Sequence, residues 1–278
     1  MVSLAAAGSS CASPEDNRTV EPAAGHSWNQ THRIDLPAGW TVTARNVGPT
    51  DESTSLSGPR STGCLVSTSP VEPKHYWGER PETVSVQGQR ASFGERDPDY
   101  GPYSAQVVWD AGDRWFDVGC DLDKAGILGI AERVHVEPNP VLVPYRLTSV
   151  PDGVRMTQLI EWIDGDTTRV SAQFELASAT RPLSMEVSNQ AKESIGPGSV
   201  ETQTINGREV EVRPASQTLC LATTSEPICV SGPGDEPAVD WSSPDARRVA
   251  EETAAALVPV ADSKDQASWY DADVAFPS

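Results

Sequence analysis

Asp121-Leu122-Asp123-Lys124-Ala125-Gly126, with Glu132 at the twelfth place, sets carboxylates at positions one, three and twelve and a glycine at six. That is the donor spacing of a calcium loop, in which the glycine allows the sharp turn and the last carboxylate closes the cage. Ala125 offers no side-chain oxygen at the fifth place, and the residues before Asp121 read as a strand rather than a helix. A simpler reading competes: Asp121 and Asp123 cap and complement the positive end of a helix, and Glu132 lies on its wet side. Capping is the preferred reading, so no metal and no other cofactor is expected.

Other chemistry is sparse. The chain contains no G-x-S-x-G, H-E-x-x-H, S-x-x-K or phosphate-loop pattern, and GPGDEP at 232–237 lacks the third glycine of a nucleotide turn. Its four histidines are scattered: His26 and His32 in or beside an N-terminal tether, His75 in a loop, His135 at a helix end. Paired carboxylates for glycoside cleavage do not stand out among 40 acidic residues. No catalytic residue is therefore named. Eight tryptophans against four phenylalanines could form a stacking platform, since an indole gives broad contact at little ordering cost. Trp109, Trp115 and Trp162 lie inside strand patterns and read as core, whereas Tyr76 and Trp77, in KHYWGER, are the candidate ligand-binding pair.

The elements that would position these residues come in two similar runs. The first begins at Leu36-Pro37-Ala38-Gly39-Trp40 and the second at Val150-Pro151-Asp152-Gly153-Val154. Each continues to a strand pair around a glycine turn, TVSVQGQRASF about Gly88 and ETQTINGREVEV about Asn206-Gly207, the latter a strong hairpin signal. Each then offers a further apolar hairpin and closes on an amphipathic helix. Ile127, Ile130, Ala131 and Val134 mark the face of one helix; Ala246, Val249, Ala250, Thr253, Ala254 and Leu257 mark the other. The expected fold is α+β: two tandem, duplicated units, residues 34–138 and 141–278. Each is expected to be an antiparallel sheet with a helix packed on one face, joined near Asn139-Pro140, after a signal remnant and tether over residues 1–33.

A formal net charge of −19 repels phosphate backbones, so nucleic acid is not an expected partner. No stretch of about 18 apolar residues is present to cross a membrane as a helix. The five cysteines split as one plus four. In LCLATTSEPICV, two short strands around Thr224-Ser225 set Cys220 opposite Cys229, within reach of a disulfide. By elimination Cys64 pairs with Cys120, which places the chain in an oxidising compartment.

Gly8-Ser9-Ser10-Cys11, after a small-residue apolar start and before a Pro- and acid-rich segment, resembles the end of a bacterial lipoprotein signal, with Cys11 as the lipidated residue. The start lacks a basic region, so truncation of the N-terminus is an open alternative. Composition, the acylation-like start and the paired strand-helix runs resemble actinobacterial cell-envelope lipoproteins. Each half is similar to an uncharacterised domain of the extracellular regions of anti-sigma factors, related in shape to lipoprotein carriers. In that domain, too, a tryptophan-containing hairpin leads to a helix like GIAERV at residues 129–134. The resemblance carries no catalytic motif and implies location and fold more than activity; the expected function is that of a non-enzymatic protein held at the membrane through a lipid on Cys11. It would bind a partner protein, a lipid or a cell-wall component through a groove between its halves. An extracytoplasmic sensor region and a cell-wall hydrolase are the alternatives.

Overall fold

The computed structural model describes residues 26–75, 77–78, 80–96, 99, 103–176, 183–189, 200–221, 227–231 and 243–276. Cys11, Tyr76, Trp241, the turn at Thr224-Ser225 and the segment 232–237 lie outside the described residues.

The first half runs β1 (Gln30–Ile34), β2 (Thr41–Val47), β3 (Glu52–Ser57), β4 (Gly63–Ser69), β5 (Glu82–Val86), β6 (Gln89–Glu95), β7 (Ala105–Asp110) and β8 (Trp115–Cys120). Helix α1 (Lys124–Ala131) and β9 (Val134–Asn139) complete it. The rest comprises β10 (Leu142–Val143), β11 (Tyr145–Leu147), β12 (Val154–Asp164), β13 (Thr167–Leu176), β14 (Leu183–Asn189), β15 (Glu201–Ile205) and β16 (Arg208–Arg213). After these come β17 (Thr218–Leu221), β18 (Ile228–Ser231), helix α2 (Pro244–Ala256), β19 (Leu257–Pro259), β20 (Tyr270–Asp271) and the short α3 (Ala272–Ala275).

The molecule is mostly strand, with few helices. Fourteen strands form one antiparallel sheet in the order β15-β16-β17-β18-β14-β13-β12-β2-β3-β4-β8-β7-β6-β5. Two separate sheets were the sequence expectation, and this is a correction. Strand β2 pairs with β12, Val47 opposite Leu159 and Arg45 opposite Glu161, which fuses the two halves and removes two open sheet edges. Outward from that seam, one half reads β2-β3-β4-β8-β7-β6-β5 and the other β12-β13-β14-β18-β17-β16-β15. The order of laying down is the same in both.

Local chemistry explains the turns. Gln87-Gly88 and Asn206-Gly207 both take positive φ at two successive residues (52° and 76°; 49° and 81°), the turn that matches the twist of a tight hairpin. Helix α2 starts where the Ser243 hydroxyl accepts from the Ala246 N–H at 3.5 Å and Pro244 fills the first turn. Its buried face carries Ala246, Val249, Ala250, Thr253 and Ala254, and it lies against β15, β17 and β18. Helix α1 contacts β7 and β8 through the side bearing Ile127, Ile130 and Ala131. It ends sooner than the periodicity suggests. Val134 and His135 belong to β9, where the His135 ring is 3.0 Å from a carboxylate oxygen of Asp35.

Residues 26–33, expected as the end of a tether, carry β1, which pairs with β9 as a ribbon. Gln30 and His32 are buried beneath it. The equivalent ribbon of the other half is β11 with β19, and β10 pairs with β20 to bring the C-terminal segment back over the seam. One core gathers Leu56, Val66, Val107, Phe116 and Ile127; the other gathers Leu159, Phe174, Val187, Leu219 and Leu257.

Candidate functional site

Strand β12 alternates, and Leu159, Glu161 and Ile163 share its inward face. Leu159 is core, but two residues on, the same register buries a carboxylate: Glu161 is 6% exposed. Its direct neighbour across the seam is Arg45 of β2, whose Nη1 donates to Oε2 at 3.1 Å. Burial pushes the Glu161 carboxyl above its ordinary pKa, and Arg45 opposes that shift.

The pair forms part of the floor of a cleft of about 500 Å³. Gly165, Asp166 and Thr168, at the β12–β13 turn, line one side, and Pro140 and Leu142 of the linker another. Lys264, Gln266 and Trp269 complete the lining. The last three are held by local bonds. Asp265 caps the turn Gln266–Ser268 by accepting from the Ala267 N–H at 3.1 Å. The Trp269 indole N–H donates to the Ser263 carbonyl at 3.1 Å, and the Gln266 amide donates to the Thr168 hydroxyl at 2.9 Å. The Ala272 N–H donates to the Val141 carbonyl at 2.9 Å, which ties this segment to the linker. The site therefore joins both halves, the linker and the C-terminus, and its volume is that of a small-ligand pocket.

A second polar cluster lies under β1. The His32 ring nitrogen Nε2 is 3.1 Å from the Thr54 hydroxyl, and Nδ1 lies 3.4 Å from Glu52 Oε2. Arg114 Nη1 donates to Glu52 Oε1 at 2.8 Å, and the Thr31 N–H donates to Oε2 at 2.8 Å. Burial opposes ionisation of Glu52, but contacts with His32, Thr31 and Arg114 outweigh it and hold the carboxyl below its usual range. Hydroxyl, imidazole and carboxylate stand in the order of a nucleophilic triad. His32 is 0% exposed and Thr54 3%, so the order locks β1 onto β3 and offers no approach to a substrate.

The sequence candidates are dispersed. Cys64 is bonded to Cys120 across β4 and β8, and Cys220 to Cys229 across β17 and β18, each pair in direct register. Two disulfides are the chemistry of an extracytoplasmic compartment. The three carboxylates of the calcium pattern have separate uses. Asp123 caps α1 by accepting from the Gly126 N–H at 2.8 Å, Asp121 accepts from the Ser104 N–H at 3.2 Å, and Glu132 accepts from the Gln87 N–H at 2.9 Å. Among the described residues no group of three or more His, Cys, Asp or Glu is placed to hold a metal ion. Trp77 is half-buried and lies flat on Gly94, with the His75 ring stacked 4.2 Å away. It sits far from the seam in the strand order, bridged to Arg96 after β6.

Sequence reasoning missed Arg45, Glu161, Lys264 and Trp269. One signal was available. In LIEWI the charge falls on the inward register, where an apolar residue is expected.

No protein-family model matches the chain, and none of the curated proteins does. Among solved structures it is similar to MucB, crystallised in complex with MucA(peri), at 11% identity and a TM-score of 0.22. The match covers 79% of this chain and 93% of that one.

Proposed function

We propose that this chain is a non-enzymatic binding protein of the bacterial cell envelope, attached to the membrane through a lipid on Cys11, which takes its ligand at the seam cleft. Residues 34–138 and 141–278 are two copies of one strand-helix unit, a reading supported by their identical strand order. Each copy covers its sheet with one helix and one ribbon. The single observation that carries the functional reading is the cleft of about 500 Å³ where the halves meet, with a buried ion pair on its floor. Duplicated units commonly leave such a crevice at their junction, and ligand sites favour that position. The two disulfides support folding outside the cytosol.

Glu161, held above its ordinary pKa by burial, is a carboxyl that a cell-wall hydrolase could use as a proton donor; its engagement by Arg45 at 3.1 Å is what supports the binding reading.

The test uses the full chain made in a bacterial host that processes lipoproteins. Intact-mass spectrometry is expected to find a diacylglyceryl group on Cys11, and labelling of Lys264 with an amine reagent is expected to be suppressed by envelope extract. An unmodified Cys11 overturns the anchor. Turnover of purified cell wall that Glu161→Gln abolishes overturns the non-enzymatic reading.

A further inference from the structure

We infer that the seam cleft binds an uncharged, polyhydroxylated chain, a glycan, rather than an ion or an acyl chain. This rests on the reading of the cleft as the ligand site and adds the chemistry of what enters it.

The lining is polar but balanced. Arg45 and Lys264 present donors and Glu161 and Asp166 acceptors, so two cations stand against two carboxylates; Gln266 and Thr168, bonded to each other at 2.9 Å, each keep a donor and an acceptor. A site for an anion would show a surplus of donors, and a site for a cation a surplus of carboxylates. Hydroxyl groups both donate and accept, and they satisfy such an alternating lining without importing charge. The Arg45–Glu161 pair keeps each partner neutralised by the other, at 3.1 Å, before anything binds. The Arg45 side chain is 23% exposed, so part of it stays open to a ligand beside the pair.

Trp269 adds the second requirement of a sugar site. Its one polar side-chain atom is committed to the Ser263 carbonyl and the residue is 9% exposed, so the indole offers the cleft a strip of apolar ring, beside Leu142 and Ile163. Sugar rings combine polar edges with C–H faces, and an aromatic ring beside planar amide and carboxylate groups matches both.

An acyl chain would need an apolar channel instead. The apolar recess between α2 and the sheet, bounded by Val154, Phe174, Met185 and Val249, holds only about 10 Å³, the space of about one water molecule. Among the described residues, charged groups line the roomy cleft and apolar groups the small recess.

The experiment is calorimetric titration of the full, oxidised chain with chitotetraose and maltotetraose, and separately with triglutamate, trilysine and phosphatidylglycerol vesicles. At least one sugar is expected to saturate, with an affinity that changes little between about 50 and 500 mM salt because no net charge is paired. Lys264→Ala and Gln266→Ala, both exposed positions, are each expected to weaken it roughly five- to tenfold with the near-ultraviolet circular dichroism unchanged. Saturation by triglutamate, trilysine or vesicles but by neither sugar, sensitive to the same two substitutions, overturns the glycan and leaves the cleft as the ligand site. Sugar binding that both substitutions leave intact, or no binding by any of the five probes, overturns the cleft reading and the inference together.

Discussion

Arg45 and Glu161 meet where the two halves of the sheet are joined, each the register partner of the other, with Nη1 and Oε2 3.1 Å apart. The glutamate is the more deeply buried member, its side chain 8% exposed against 23% for the arginine. Removing the cation therefore leaves a carboxylate in poor solvent, whereas replacing both by apolar residues leaves neither. Arg45→Ala is expected to destabilise by up to about 3 kcal/mol, discounted from a fully buried pair because Arg45 keeps some water. Arg45→Met with Glu161→Leu is expected to recover most of that loss. Urea midpoints of the three proteins check it, and a double variant as unstable as the single one would contradict it.

Two of the buried carboxylates, Glu52 and Glu161, respond to acid in opposite directions. Glu52 lies below its ordinary pKa in the folded chain, so its contribution is present above the unfolded value, about 4.3, and is lost as pH falls through the folded one. Glu161 lies above, so its contribution is full below the unfolded value and is lost as pH rises through the folded one. Glu52→Gln is expected to remove the rise in stability that ends at about pH 4.3, and Glu161→Gln the decline that begins there. Denaturant melts at half-unit pH intervals measure both slopes, and the same change in both variants would refute the opposition.

Much of this architecture is written in the chain, and the parts that are not share one cause. Asn206-Gly207 announces its hairpin because two successive positive φ values have few takers, and Ser243-Pro244 announces α2 because caps are local. Cys220 and Cys229 could be paired because alternation fixes which strand residues stand opposite. The seam is different. Nothing local tells β2 and β12 that their open edges will meet, so the convergence of residues 45, 161 and 264 has no spacing to betray it. His32 was hidden for a related reason: the polar composition before it resembles a tether, and only the pocket formed by Thr54, Glu52 and Arg114 makes a buried strand of it.

The disulfides should differ in what they contribute. Cys64–Cys120 closes a separation of 56 residues and Cys220–Cys229 one of 9. The chain-entropy relation gives about 4 kcal/mol for the longer loop and about 2.5 for the shorter. Cys64→Ala with Cys120→Ala is expected to lower stability by about 1.5 kcal/mol more than Cys220→Ala with Cys229→Ala. Guanidinium titration of the two double variants decides it, and equal losses would point to residual structure in the unfolded chain.

Asp123 is a helix cap by geometry, accepting from the Gly126 N–H at 2.8 Å. Asp123→Ala is expected to reduce stability by about 1 kcal/mol, and Asp123→Asn by much less, since an amide oxygen also caps. Millimolar calcium is expected to leave the melting temperature of the parent unchanged, because Asp121 and Glu132 are bonded to Ser104 and Gln87. A calcium-dependent rise that Asp123→Asn removes would restore the metal-loop reading.

Trp77 owes its place to a missing side chain. A Cβ on Gly94 would lie 2.4 Å from the indole Cδ1 and 2.8 Å from Nε1, distances that van der Waals contact forbids. The ring is wedged between the β6 backbone and the stacked His75, so it cannot slide away without losing the sheet surface it covers. Gly94→Ala is expected to lift the indole into water, with a red-shifted tryptophan emission and a loss of about 1–3 kcal/mol, the usual penalty of overpacking. Trp77→Phe in the Gly94→Ala background is expected to restore part of the stability, because the smaller ring leaves room for the methyl. Fluorescence and urea unfolding of the two variants report on the same contact independently. An unshifted emission in Gly94→Ala would mean that the indole is held by something other than this close approach.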